Sequence, residues 1–255
     1  MITVINSKLC PIIYSYKEVN STNEVAKELI EEKNQIGFVI FAETQLAGKG
    51  QGKKVWESPY GGLWISLAIR PQIDLSMLGI IPIISAVGIA RTLEHFNINV
   101  MLKWPNDILI KHNLKKIGGI LVETKVTRHF LNYLIIGIGL NINNTLDQYS
   151  IALQDHITTV YEEFNKEINL TTLLHEIIHQ IEESFETLRS DGAQPLLKEW
   201  KQVDNILGMN LTIQTLEKVY QGKAIDISPY GQLILEVKDV GKVTISSGTV
   251  ILPTK

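Results

Sequence analysis

Two periods of apolar residues alternate along this chain. The segment STNEVAKELIEEK (21–33) is amphipathic at helical spacing, and Ser21 and Glu24 stand where the two halves of a capping box would. IGFVIFAETQ (36–45) and GGLWISLAI (61–69) are apolar runs of strand length. A buried helix is expected from about Leu78 to Phe96. NVMLKWPNDILIK then reads as two extended pieces broken at Trp104–Asp107, because Pro105 cannot donate a ladder hydrogen bond. KIGGILVETKV and HFLNYLIIGIGLNIN supply a further strand pair, and from about Leu170 to Val203 the pattern is helical again. After Gly208 the texture changes to short alternating runs such as NLTIQTL and QLILEV, as in a small β-barrel or SH3-like module. The boundary falls near residue 205, giving domains 1–205 and 206–255.

Composition narrows the setting. The chain has 255 residues, 45% apolar and 20% charged, enough for a sizeable core in an ordinary globular protein. A net charge of −3 argues against a protein built to hold a nucleic-acid backbone. Cys10 stands alone, which excludes an internal disulfide and suits a reducing cytoplasm. The N-terminal MITVINSKLCPIIYSY is not a signal peptide. MLGIIPIISAVGIA (77–90) is too short and interrupted to span a bilayer, so no membrane association is expected.

The most distinctive stretch is QLAGKGQGKKVWESP (45–59). Gly48 to Lys54 are three glycines, three lysines and a glutamine, with no apolar side chain. Such a segment suits a mobile loop that brings ammonium groups to phosphate or carboxylate. It is not a P-loop: Lys54 stands where Ser or Thr is needed, and Ala47 where the first glycine belongs. Nor do Gly48, Gly50 and Gly52, or Gly137 and Gly139, have dinucleotide-fingerprint spacing. HEIIH (175–179) matches a zinc pattern, but its histidines flank an apolar helical stripe and no further metal motif supports it, so no zinc is expected. Lysines at strand ends (Lys103, Lys116), paired glycines in KIGGILVE and the amide closing GIGLN (Asn141) recur within the same domain. Glycine pairs in strands mark close approach by a ligand or another backbone.

In STN (21–23), AETQLAGKGQGKKVWESPYGGLW (42–64), LKWPNDI (102–108), KIGGILVE (116–123), GIGLN (137–141) and the C-terminal β-module, the chain resembles the biotin protein ligases. The resemblance implies an α+β fold, a mixed β-sheet with helices on one side followed by a small SH3-like β-barrel. It also implies a two-step reaction. Biotin's carboxylate attacks the α-phosphate of ATP, and a carrier lysine then takes biotin from biotinyl-5′-AMP. Matched position by position, Ser21, Thr22, Asn23 and Gln45 would hold the polar head of biotin. Lys49, Gly50 and Gln51 would fold over biotin and the adenylate, with Gly137 and Gly139 lining the floor. Lys103 would contact both the biotin carboxylate and the α-phosphate, and Lys103 and Lys49 are the candidate catalytic groups. Trp56, Lys54, Lys116 and Asn141 fall to the nucleotide, while Asp107, with Asn106 beside it, is the candidate neighbour of Mg2+. The implied acceptor is the biotin carboxyl carrier protein of acetyl-CoA carboxylase, in a monomer or homodimer.

The chain departs from that pattern in its loop. Lys49 and Gln51 stand where many relatives carry arginine, and lysine lacks arginine's fixed bidentate fork. Lys53, Lys54 and Lys103 can supply charge, so activity is expected with faster escape of the intermediate. Pro253 lies where some relatives have a late arginine. The biotin motif begins by residue 21, so no DNA-binding domain and no repressor role are expected. The alternatives are acyl transfer of the lipoate or octanoate ligase type, and a non-catalytic protein that binds biotin or a carrier domain.

Overall fold

The computed structural model describes residues 1–52 and 54–252. Its strands and helices run β1 (Ile2–Val4), β2 (Ile12–Val19), α1 (Thr22–Lys33), β3 (Phe38–Gln45), β4 (Leu63–Ile69), α2 (Ile81–His95), β5 (Val100–Lys103), β6 (Asp107–Ile110), β7 (Lys116–Thr127) and β8 (Phe130–Leu140). The short α3 (Ile151–Gln154) and α4 (Val160–Phe164) precede α5 (Leu170–Asp191) and α6 (Gln194–Gln202). The chain closes with β9 (Asn210–Gln214), β10 (Val219–Ile227), β11 (Leu233–Val237), β12 (Gly241–Ile245) and β13 (Thr249–Ile251).

Eight strands form one mixed sheet in the order β1-β2-β3-β4-β8-β7-β6-β5. Among the described strands only β2 and β3 pair in parallel, because α1 carries the chain back between them. The strand alternation sorts side chains to two faces. Phe38, Ile40, Ala68 and Ile135 face α1 and pack on its Ala26 and Ile30. Val39, Leu67 and Ile136 face the other way, into the larger core with α2, α5 and α6. The three longer-packed helices therefore share one face as expected, and α1 lies alone on the opposite one.

The run Leu75–His95 has the length and apolarity of a membrane-crossing helix. Its apolarity is used internally: Ile81, Ile84, Val87, Ile89 and Leu93 are buried, and α2 packs between the sheet and α5. In α5 the stripe Leu173, Leu174, Ile177, Ile178 and Ile181 is buried, whereas His175 and His179 are exposed. Among the described residues no three metal-ligating side chains gather anywhere.

The second sheet is antiparallel, five strands in the order β12-β11-β10-β9-β13. Its apolar face is continuous with the larger core through Leu211, Ile213, Leu233 and Leu235. Trp104 Nε1 donates to Gly231 O across 2.9 Å, and Leu102 exchanges backbone hydrogen bonds with Val203 and Asn205. The first tie holds the β10–β11 turn, and the second the α6–β9 connection, against the β5–β6 corner.

Candidate active site

Strands β2 and β3 end side by side, with Val19 opposite Gln45, and α1 starts three residues beyond β2. The first backbone N–H of α1 therefore points at the end of β3. Thr22 N donates to Gln45 Oε1 at 2.8 Å, and Gln45 Nε2 donates to Ser58 Oγ at 2.8 Å. Ser66 Oγ bridges Thr22 Oγ1 (2.7 Å) and Asn23 Oδ1 (2.5 Å), and Asn23 Nδ2 donates to Glu123 Oε2 at 2.6 Å. Ser21, Thr22 and Asn23 are all buried. A polar set held this tightly by its neighbours is preorganised for a small polar ligand. Ser58 and Glu123 lie within the quoted motifs but carried no assigned role, and Ser66 lies outside them, though a hydroxyl in the otherwise apolar LWISLAI was a visible signal.

The capping box is not formed. Ser21 is the N-cap residue of α1, but its side chain makes no capping hydrogen bond. Glu24 turns outward instead and pairs with Lys49 Nζ at 2.6 Å. That hydrogen bond raises the Lys49 pKa above its ordinary value, against a smaller opposing effect of burial. The loop around Lys49 is a closed turn: Trp56 N donates to Gly48 O, Gly50 N to Lys54 O, and Gly52 supplies a positive φ of 70°. Lys53, assigned a share of the charge, lies outside the described residues, as does Pro253.

At the other end, Lys103 closes β5 and faces Asp107, the first residue of β6, across the Trp104–Pro105–Asn106 corner. Lys103 Nζ lies 3.1 Å from Asp107 Oδ2, and Lys116 Nζ binds Asp107 Oδ1. Burial pushes the Asp107 carboxyl up, but the two ammonium groups outweigh it and hold the pKa below the usual carboxylate range. Two cations around one carboxylate leave a surplus positive charge facing the cleft. Asn106 braces the corner, its Nδ2 donating to Ile120 O at 2.6 Å.

Trp56 lies between these ends. Gly119 and Gly139 are register partners on β7 and β8, and the indole rests on both. A Cβ on Gly139 would stand 2.5 Å from Trp56 Nε1, and one on Gly119 would stand 3.3 Å from the ring. Gly137, two residues earlier, gives the same room to the Asn23 amide. The glycines expected to lie under a ligand thus lie first under Asn23 and Trp56. Lys116 Nζ sits 5.0 Å from the indole centroid, and Trp56 Nε1 is buried without a hydrogen-bond partner.

The residues that the resemblance assigns to biotin, nucleotide or metal, from Ser21 to Asn141, all line this cleft. So do residues that it does not assign: Glu57, Tyr149, Leu153 and Ile157, and Gly248–Val250 of the second sheet. Asn141 is committed to neighbours, its Nδ2 donating to Thr158 O at 3.0 Å and its Oδ1 accepting from Tyr149 at 2.8 Å.

The chain matches two family models in sequence order. Residues 15–141 match the biotin/lipoate A/B protein ligase family, and 206–252 match the biotin protein ligase C-terminal domain. It is 32% identical over 223 residues to a bifunctional ligase/repressor BirA of Bacillus spizizenii, covering 87% of this chain and 68% of that protein. A human biotin–protein ligase is 33% identical over 146 residues, 54% of this chain and 19% of the human one. The biotin protein ligase of Aquifex aeolicus, solved with biotin and ATP, superposes with a TM-score of 0.80 at 26% identity, over 95% of this chain and 99% of that one. By both models, by these relatives and by its fold, the chain belongs to the biotin/lipoate A/B protein ligase family, among its biotin protein ligases.

Proposed function

We propose that this protein activates biotin with ATP to biotinyl-5′-AMP and transfers the biotin to a lysine of a carrier domain. One observation carries the reading. A single cleft joins the preorganised polar set at the start of α1 to the cationic set at the β5–β6 corner, with an indole between them. The Thr22–Gln45–Ser58 set and Asn23 are suited to the ureido head, and Lys103 and Lys116 to the carboxylate and α-phosphate. Trp56 is suited to the adenine.

In the first step a biotin carboxylate oxygen attacks the α-phosphorus and pyrophosphate leaves with its bonding electrons. Lys103 offsets the charge that gathers on the phosphoryl oxygens. Lys49 exchanges Glu24 for the anion, which draws the 48–54 loop over the mixed anhydride and keeps water out. In the second step the acceptor amine attacks the acyl carbon and AMP departs. No protein nucleophile is required, and positioning supplies most of the rate. The acceptor is a biotin carboxyl carrier protein, and the lone buried Cys10 suits a reducing cytoplasm. The first domain, 1–205, carries most of the site, and the second closes one wall of it through Gly248–Val250.

Mg2+ accompanies the nucleotide in this reading, but Asp107 is poorly suited to hold it. Both carboxylate oxygens already bind ammonium groups, so the ion is assigned to the triphosphate and water, and no step is routed through it.

The test is pyrophosphate release from ATP on adding biotin, with lipoate and octanoate in parallel, followed by labelling of a carrier domain. Biotin-dependent pyrophosphate and a labelled carrier lysine are expected. Activity with lipoate alone would transfer the protein to the lipoyl branch, and silence with all three would leave a binding protein.

A further inference from the structure

The segment after Asn141 puts a buried hydroxyl on its amide. Tyr149 lines the cleft and is 5% exposed. Its hydroxyl donates to Asn141 Oδ1 at 2.8 Å and accepts from Asn144 Nδ2. Asn141 Nδ2 in turn donates to Thr158 O at 3.0 Å. A backbone carbonyl only accepts, so the amide nitrogen must face Thr158 and the amide oxygen must face Tyr149. The hydroxyl's single proton is then committed to Asn141, since the Asn144 nitrogen is itself a donor. The direction of the whole chain, Asn144 to Tyr149 to Asn141 to Thr158, is set at its carbonyl end. Burial pushes the Tyr149 pKa up, which keeps that proton in place across the working pH range.

An amide held in this way has one N–H and one lone pair left, in a fixed order. The 6-amino group and N7 of adenine need one acceptor and one donor from a side-chain amide. We infer that Tyr149 is a positioning residue for nucleotide selection, holding the Asn141 amide so that it reads the 6-amino edge of adenine. The inference rests on the ligase reading, in which this end of the cleft takes ATP.

The experiment compares Tyr149→Phe with the wild type in biotin-dependent pyrophosphate release. The substrates are ATP, GTP and purine riboside triphosphate, which lacks the 6-amino group. Phenylalanine keeps the ring and removes only the hydroxyl. The expected result is a rise of about fivefold in the KM for ATP, the size of one net hydrogen bond. The KM for the 6-deamino analogue, which keeps only the N7 contact, should rise by less, so the preference between the two narrows, while the KM for biotin is unchanged. Asn144→Ala, which removes only the donor to Tyr149, should move the same ratio in the same direction by less. Equal losses for ATP and the analogue, or an unchanged ratio in both variants, would overturn the inference while leaving the ligase reading intact. A wild type that releases no pyrophosphate with biotin would overturn both.

Discussion

Lys103 and Lys116 converge on one carboxylate in a cleft wall, and the surplus cation is what the chemistry needs. Lys103→Gln should lower biotin-dependent pyrophosphate release by about 100-fold, the usual loss when a positioned charge is taken from a developing anion. Its effect on the melting temperature should be small. Asp107 has the opposite profile. Its folded pKa lies below the ordinary value, so the stability it contributes is fully present above the unfolded pKa of about 4 and is lost as pH falls through the folded one. Asp107→Asn leaves two lysines uncompensated and should cost about 1–3 kcal/mol at neutral pH. The gap between variant and wild type, read from urea midpoints, should close on going to acid below the unfolded pKa. A gap that widened in acid would contradict the assignment.

At the level of elements, the loop and the helix beside it act as one unit through the Lys49–Glu24 pair. Both side chains are nearly half exposed, 45% and 41%, so the pair adds little to stability. What it sets is where the loop rests. Glu24→Gln should leave the melting temperature unchanged and raise the rate of tryptic cutting between residues 48 and 55 severalfold. Biotin with ATP should remove the difference, because the loop then has another anion to hold. The sequence announced this loop through its composition, and the glycines of β7 and β8 through their improbability in strands. It did not announce Glu24's partner, because a capping-box spacing is a local pattern and Lys49 is brought in by the register of β3. Ser66 with Thr22, and Asn23 with Glu123, are likewise set by strand order, 44 and 100 residues apart in the chain. Periodicity sees one element at a time. The four- and five-residue helices α3 and α4 are below what it resolves, and Tyr149 lies just ahead of them.

For the whole molecule, the continuous core means that the two sheets should not melt apart. Calorimetry should give one transition. Trp104→Phe, which removes the indole that donates to Gly231 O and thins a fully buried contact, should lower the stability by about 1–2 kcal/mol without splitting the peak. Two separated transitions would show the second sheet to be an independent unit. The single parallel pair in the main sheet has a further consequence. Because α1 must return the chain to the start of β3, the helix begins at the carboxyl ends of β2 and β3, and every group it presents to ligand is there. Its far end is about 18 Å along the helix axis, and the turn at 34–37 that follows lies a strand's length away, roughly 25 Å by the rise per residue. Chemistry and connection are thus placed at opposite ends of one βαβ unit. The distal turn is where this family could lengthen, shorten or acquire an appended segment while the ligand went on meeting the same atoms.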